Sequence, residues 1–286
     1  MQLLVFSCFV GFWRRENNMK KPTIVGKIIS SGRVGLAVCL VLLVGCVSTT
    51  DSRFVNNTNE GEALRKYTDL GLLHIQKGDT VAAMLPLKRA LEIDPKSADV
   101  NAAFAMLFQV ENDNLLAEKY FKKALQFSSG TEKTRIRNNY ASFLFGADRL
   151  IDACKQLRMA SEDPFYEKRA QVYENLGVCY QRLGKRDEAL TAYEKAISIE
   201  DTRARALLEA SFLQFNQSNF NQSALYHESY QRLVRYRIAN NTPKSLWLGV
   251  QLSRDSGDAN AEASYALKLR NMFPESPENK DILKGG

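Results

Sequence analysis

Small side chains recur along this chain with a period near 34 residues, and few folds are compatible with that recurrence. Alanine stands at 83, 117, 153, 189, 224 and 261, at spacings of 34, 36, 36, 35 and 37 residues. Twelve residues before the first four of these come Gly71, Ala105, Ala141 and Gly177. Large residues keep the same register: Leu70, Phe104, Tyr140 and Leu176 sit one place before the small residue, and Leu87, Phe121, Leu157 and Tyr193 fall inside the second half of each unit. A unit of this length holds two short helices. One helical hairpin cannot bury its own apolar face, so units of this kind are stable only when stacked. The small residues are expected where the two helices of a hairpin cross closely, and the large ones between hairpins. Gly78 and Gly184 fall in the expected interhelix turns, where glycine makes a left-handed residue cheap.

These offsets resemble the tetratricopeptide repeat (TPR), most fully in "AQVYENLGVCYQRLGKRDEALTAYEKAISIEDTR". The resemblance implies an all-α fold, an α-solenoid of about six repeats with a concave groove: 64–97, 98–131, 134–167, 170–203, 205–238 and 242–275. The fifth is the poorest match, read from Leu208, Phe215 and Ala224. The sixth is read from Leu248, Gly249, Leu252, Ala261 and Tyr265.

Ahead of the repeats lies a stretch of different character. From Met19 the chain reads "MKKPTIVGKIISSGRVGLAVCLVLLVGC", with Lys20, Lys21, Lys27 and Arg33 before an apolar run, Val34 to Val44. That run suits a signal-peptide core and is short for a membrane-spanning helix. Leu43-Val44-Gly45-Cys46 resembles the lipobox of bacterial lipoproteins. The expectation is therefore a signal peptide over 1–45 with its start at Met19, lipid on Cys46, a polar tether over 46–61, and a TPR domain over 62–286. Val47, in place of aspartate, suggests delivery to the outer membrane, facing the periplasm. The net charge of +7 reflects this leader: residues 1–45 carry six basic groups against Glu16, and from Cys46 onward 33 basic residues face 31 acidic ones. The basic pI is therefore no sign of nucleic-acid binding. Of the remaining cysteines, Cys154 and Cys179 stay in the mature chain. The periplasm permits a disulfide, but two buried thiols in packed helices are the favoured expectation.

No catalytic motif, phosphate loop or metal-ligand spacing stands out, and the two histidines, His74 and His227, read as packed or surface residues. No enzyme activity, cofactor or metal is expected. Binding is. The inner face of such a solenoid is lined by the first helix of each repeat. Its slots hold Thr68, Leu72, Ile75 and Gln76 in the first repeat, Asp99, Ala102, Met106, Gln109 and Val110 in the second, and Asn138, Ser142 and Phe145 in the third. The fourth adds Glu174, Val178, Gln181 and Arg182. Leu72, Ile75, Met106, Val110, Phe145 and Val178 are apolar where water is expected, which points to capture of an amphipathic helix or extended peptide.

Particular stretches narrow the resemblance: "PLKRALEIDP" with Pro86 inside a helix, "NNYASFL", "VYENLGVCYQRLGK" and "SLWLGVQLSRDSGDANAEASYALKLRNMFPES". These are similar to the type IV pilus biogenesis and stability lipoproteins, the pilotins of PilF/PilW type. The resemblance implies a lipid-anchored protein of six TPRs that binds the pilus secretin subunit and helps it reach the outer membrane and multimerise, with the partner on an apolar groove of the early repeats. TPR lipoproteins also serve as adaptors for cell-wall hydrolases or outer-membrane protein assembly, the alternative for this architecture.

Overall fold

The computed structural model describes residues 56–284. The expected signal peptide, Cys46 and the expected tether as far as residue 55 lie outside the described residues. Thirteen α-helices follow one another in them, with no strand: α1 (Asn56–Gln76), α2 (Thr80–Ile93), α3 (Ala98–Val110), α4 (Asn114–Phe127), α5 (Gly130–Gly146), α6 (Leu150–Ser161), α7 (Arg169–Arg182), α8 (Arg186–Ile199), α9 (Ala204–Asn216), α10 (Phe220–Arg235), α11 (Pro243–Ser256), α12 (Ala259–Met272) and α13 (Pro277–Lys284). They form six hairpins and a closing helix, and each hairpin packs chiefly on its neighbours in sequence. α1 starts inside the stretch expected to be tether. No proline interrupts it, and once a turn is fixed by packing, adding residues to its end is easy even without apolar periodicity.

All six hairpin turns have one geometry. The residue in the bend has φ between 58° and 76°: Gly78, Asn112, Asp148, Gly184, Ser218 and Gly257. The next residue donates its N–H to the carbonyl five places back, as in Asp79 to His74 and Lys185 to Tyr180, at 2.9–3.0 Å. Only half of these bends carry the glycine that the left-handed region favours. Asn112 and Asp148 are the side chains that tolerate it best, while Ser218 has no such advantage. Asp79, Asp113 and Asp258 then cap the second helix by accepting from the N–H three residues on.

The close crossings fall where the small residues predict. A Cβ on Gly71 would run into the side chain of Leu87, on Gly177 into Tyr193 and on Gly249 into Tyr265, in each case the residue sixteen places ahead. Ala105 and Ala141 stand in the same relation to the buried Phe121 and Leu157. The fifth hairpin corrects the sequence frame. Ala224 is exposed, and the buried pair is Ser211 and Ser223, one position earlier. The two serines are small enough for the crossing, and each hydroxyl donates to the other's carbonyl, at 2.7 and 2.8 Å. The large slot opposite Ser211 holds His227, which is buried and donates from Nε2 to the Ser245 carbonyl at 2.8 Å. The repeat is therefore regular, but the residues at its crossing are polar.

Cys154 on α6 and Cys179 on α7 are joined by a disulfide, their α-carbons 5.7 Å apart. This corrects the expectation of two buried thiols. Both cysteines are indeed buried, but they sit opposite each other where the third hairpin meets the fourth, a distance a disulfide spans.

α13 lies beyond the last expected repeat and packs on α11 and α12. It begins as α3 does. Asn279 donates to the Pro274 carbonyl, as Asn101 does to Pro95, and Ser276 accepts from the Asn279 N–H, as Ser97 does from Val100. The indole of Trp247 donates to Asp281 at 2.8 Å. α13 thus covers part of the last hairpin with a largely polar helix, leaving Leu267 and Met272 of α12 exposed.

Candidate partner-binding surface

The inner face divides into two parts. From the third repeat onward, and at Asp99 of the second, its slots are tied to one another. Asp99 pairs with Arg135, Asn138 accepts from Asn175 at 3.2 Å, and Arg182 lies over the Phe145 ring at 5.2 Å. Gln181 donates to Glu209 at 2.9 Å, Glu209 pairs with Lys244 at 2.6 Å, and Lys244 stands 4.0 Å above the Phe212 ring. Glu174, buried, receives Arg203 at 2.7 Å. These contacts join successive hairpins and satisfy the polar groups of the face internally.

The other slots of the first two repeats are different. Leu72, Gln76, Met106, Gln109 and Val110 make no side-chain hydrogen bond or ion pair among the described residues, and Gln76 and Val110 are exposed. Three of the expected groove residues are not on the surface. Thr68, Ile75 and Ala102 are buried; Thr68 donates to the Leu64 carbonyl at 2.7 Å, and Ile75 and Ala102 belong to the core between hairpins. Thr68 lines the groove with its hydroxyl turned to its own helix, whereas Ile75 and Ala102 point sideways into the neighbouring hairpin, so their residue type reports packing. Met106, Phe145 and Val178 are half-buried for the same reason. What remains open is a groove of about 740 Å³. Leu64 and Leu72 of α1 form one wall, and the Asp99–Arg135 pair and Glu132 line it from α3 and α5. The exposed Phe165 from the α6–α7 loop stands at its lip. Burial and the neighbouring Asp99 carboxylate raise the Glu132 pKa.

A second apolar surface adjoins this groove and escaped the sequence reading. Tyr67, Leu70 and Leu73 of α1 are exposed, as are Val81 and Leu85 of α2. In the second repeat the equivalents of the first three, Asn101, Phe104 and Leu107, are buried against the hairpin before. In the first repeat no hairpin precedes them among the described residues. The residues that fill the space between hairpins elsewhere are left uncovered here. Their type carried no signal of this; their place at the start of the array did.

Six helical hairpins with identical turns, small-to-large crossings and a groove lined by their first helices define a TPR scaffold. The tetratricopeptide repeat family matches residues 170–202. The chain is 34% identical to the type IV pilus assembly protein PilF of Pseudomonas aeruginosa over 242 residues, covering 84% of this chain and 93% of that one. The solved structure from the functional characterization of Pseudomonas aeruginosa pilF aligns with a TM-score of 0.70 at 32% identity, covering 80% of this chain and all of that one. PilW, described as a widely conserved type IV pilus biogenesis factor, shares the fold, with a TM-score of 0.60, 24% identity, and coverage of 78% of this chain and 99% of that one. The chain belongs to the PilF family of type IV pilus biogenesis TPR proteins.

Proposed function

We propose that this chain is a lipid-anchored pilotin of the outer membrane. It binds the type IV pilus secretin subunit and promotes its delivery and multimerisation, and hence pilus formation and twitching motility. The observation that carries the reading is the concentration of open apolar surface on α1, which presents Leu72 to the groove and Tyr67, Leu70 and Leu73 to the end of the solenoid. At the far end α13 packs on α11 and α12. An apolar surface at one end of a rigid array is a docking site for a helix or an extended segment. The cross-tied inner face of the later repeats holds that site in shape. In this reading the lipid on Cys46 supplies the address and α1 the cargo specificity, and no catalytic step is required.

The test has two arms in the producing cell. Cys46→Ser should leave the protein unlipidated and absent from the outer-membrane fraction; unchanged fractionation would refute the anchor. Leu70→Glu with Leu72→Glu should abolish the high-mass secretin species on an unheated gel, while circular dichroism of the variant stays helical. Normal secretin multimers with both changes would refute the α1 site.

A further inference from the structure

The outer helices of the first three hairpins share a feature that the last three lack. Val81, Leu115 and Ile151 each stand second in their helices, α2, α4 and α6, and are 85, 84 and 76% exposed. The residues in the same place in α8, α10 and α12 are Asp187, Asn221 and Asn260. Four and seven places on, along the same face of each helix, α4 has Lys119 and Lys122 and α6 has Lys155 and Arg158. Together α2, α4 and α6 carry seven lysines and arginines against three acids, whereas α8, α10 and α12 carry six against five. Two of the seven cations, Arg89 and Lys122, pair with an acid of their own helix, and the other five form no ion pair among the described residues. Packing does not explain the three aliphatic residues, since each lies almost wholly in solvent.

We propose that this outer face of the first three repeats is a docking surface for an anionic lipid bilayer. Protruding aliphatic side chains beside unneutralised cations are what an interfacial membrane surface presents: the aliphatic groups enter the headgroup boundary and the cations meet the acidic headgroups. The occupant follows from charge complementarity and from reach. Cys46 precedes the first residue of α1, Asn56, by ten residues, a length that spans at most about 36 Å. The reach rests on the lipid-anchor reading above; the row and its charge do not. A scaffold lying on its outer face directs its groove away from the bilayer, toward an incoming partner.

Ser52–Gly286 is one compact unit with its own core, so this fragment, which lacks Cys46, is the protein to test. It is floated at low salt with vesicles of phosphatidylethanolamine and phosphatidylglycerol, and with vesicles of phosphatidylcholine alone. Association with the first and not the second is expected, falling as salt is added. Lys119→Glu with Lys155→Glu should weaken it by more than about tenfold. Leu115→Asp with Ile151→Asp should do the same, and Asn221→Asp should change nothing. All three variants alter exposed positions, and circular dichroism checks that each is folded. No enrichment on the anionic vesicles, or enrichment that both double variants leave intact, would overturn the proposal. Neither result bears on Cys46 or on the α1 surface.

Discussion

The ring of Tyr193 lies against the α-carbon of Gly177, so that a Cβ on that glycine would stand 2.5 Å from a ring carbon. The ring cannot withdraw: it is fully buried, and its hydroxyl donates to the Gln181 side chain at 2.8 Å. Gly177→Ala should therefore destabilise by about 1–3 kcal/mol, although alanine favours a helix by about 1 kcal/mol over glycine. Gly146, with nothing within 4 Å of its notional Cβ, is the control. Gly146→Ala should be neutral or stabilising by up to about 1 kcal/mol. Urea denaturation should lower the midpoint of the first variant and leave unchanged or raise that of the second.

Ser218 holds the bend that glycine holds in three of the six turns, at φ 61°. A serine there bears a steric cost of about 1 kcal/mol that glycine avoids. Ser218→Gly should raise the denaturation midpoint, and a lowered midpoint would show that the bend is not strained.

The Cys154–Cys179 disulfide closes a loop of 25 residues between the third and fourth hairpins. Its loss should lower stability by about 3 kcal/mol on loop-closure grounds. Unfolding with and without reductant should show this, and Cys154→Ala with Cys179→Ala should reproduce the reduced curve under both conditions.

Acid should act in two separate windows. Burial lowers the His227 pKa below its ordinary 6.5, so the folded protein resists a proton that the unfolded chain accepts. Stability should fall as pH drops below about 6.5, and His227→Gln should flatten that part of the profile. Glu118, which accepts from Lys122, Arg149 and Tyr140, has its pKa pulled to about 2. Its contribution should persist to about pH 4.5 and disappear as pH falls toward 2. Glu118→Gln should remove that later loss. Denaturation midpoints measured across both ranges separate the two groups.

The hairpin count and crossings were legible because sterics fix the residue size: Gly71, Ala105, Ala141 and Gly177 stand where a large side chain of the facing helix comes close to the backbone. The fifth frame was misplaced because small size, not apolarity, is the requirement, and Ser211 and Ser223 meet it as well as alanine does. α13 went unread because a single polar helix has no repeat to match. The groove slots were the least legible. Ile75 and Ala102 occupy positions that open inward in the general repeat, yet the next hairpin covers them.

The amino-acid sequence by itself determined the series of nested hairpins, because local crossings depend on residues sixteen apart in one chain segment. Tertiary structure alone decided which apolar side chains stay uncovered. Leu70 and Phe104 hold equivalent places in their repeats, and one is exposed while the other is buried. Among the described residues a hairpin stands before Phe104 and none before Leu70, and no single repeat carries that information.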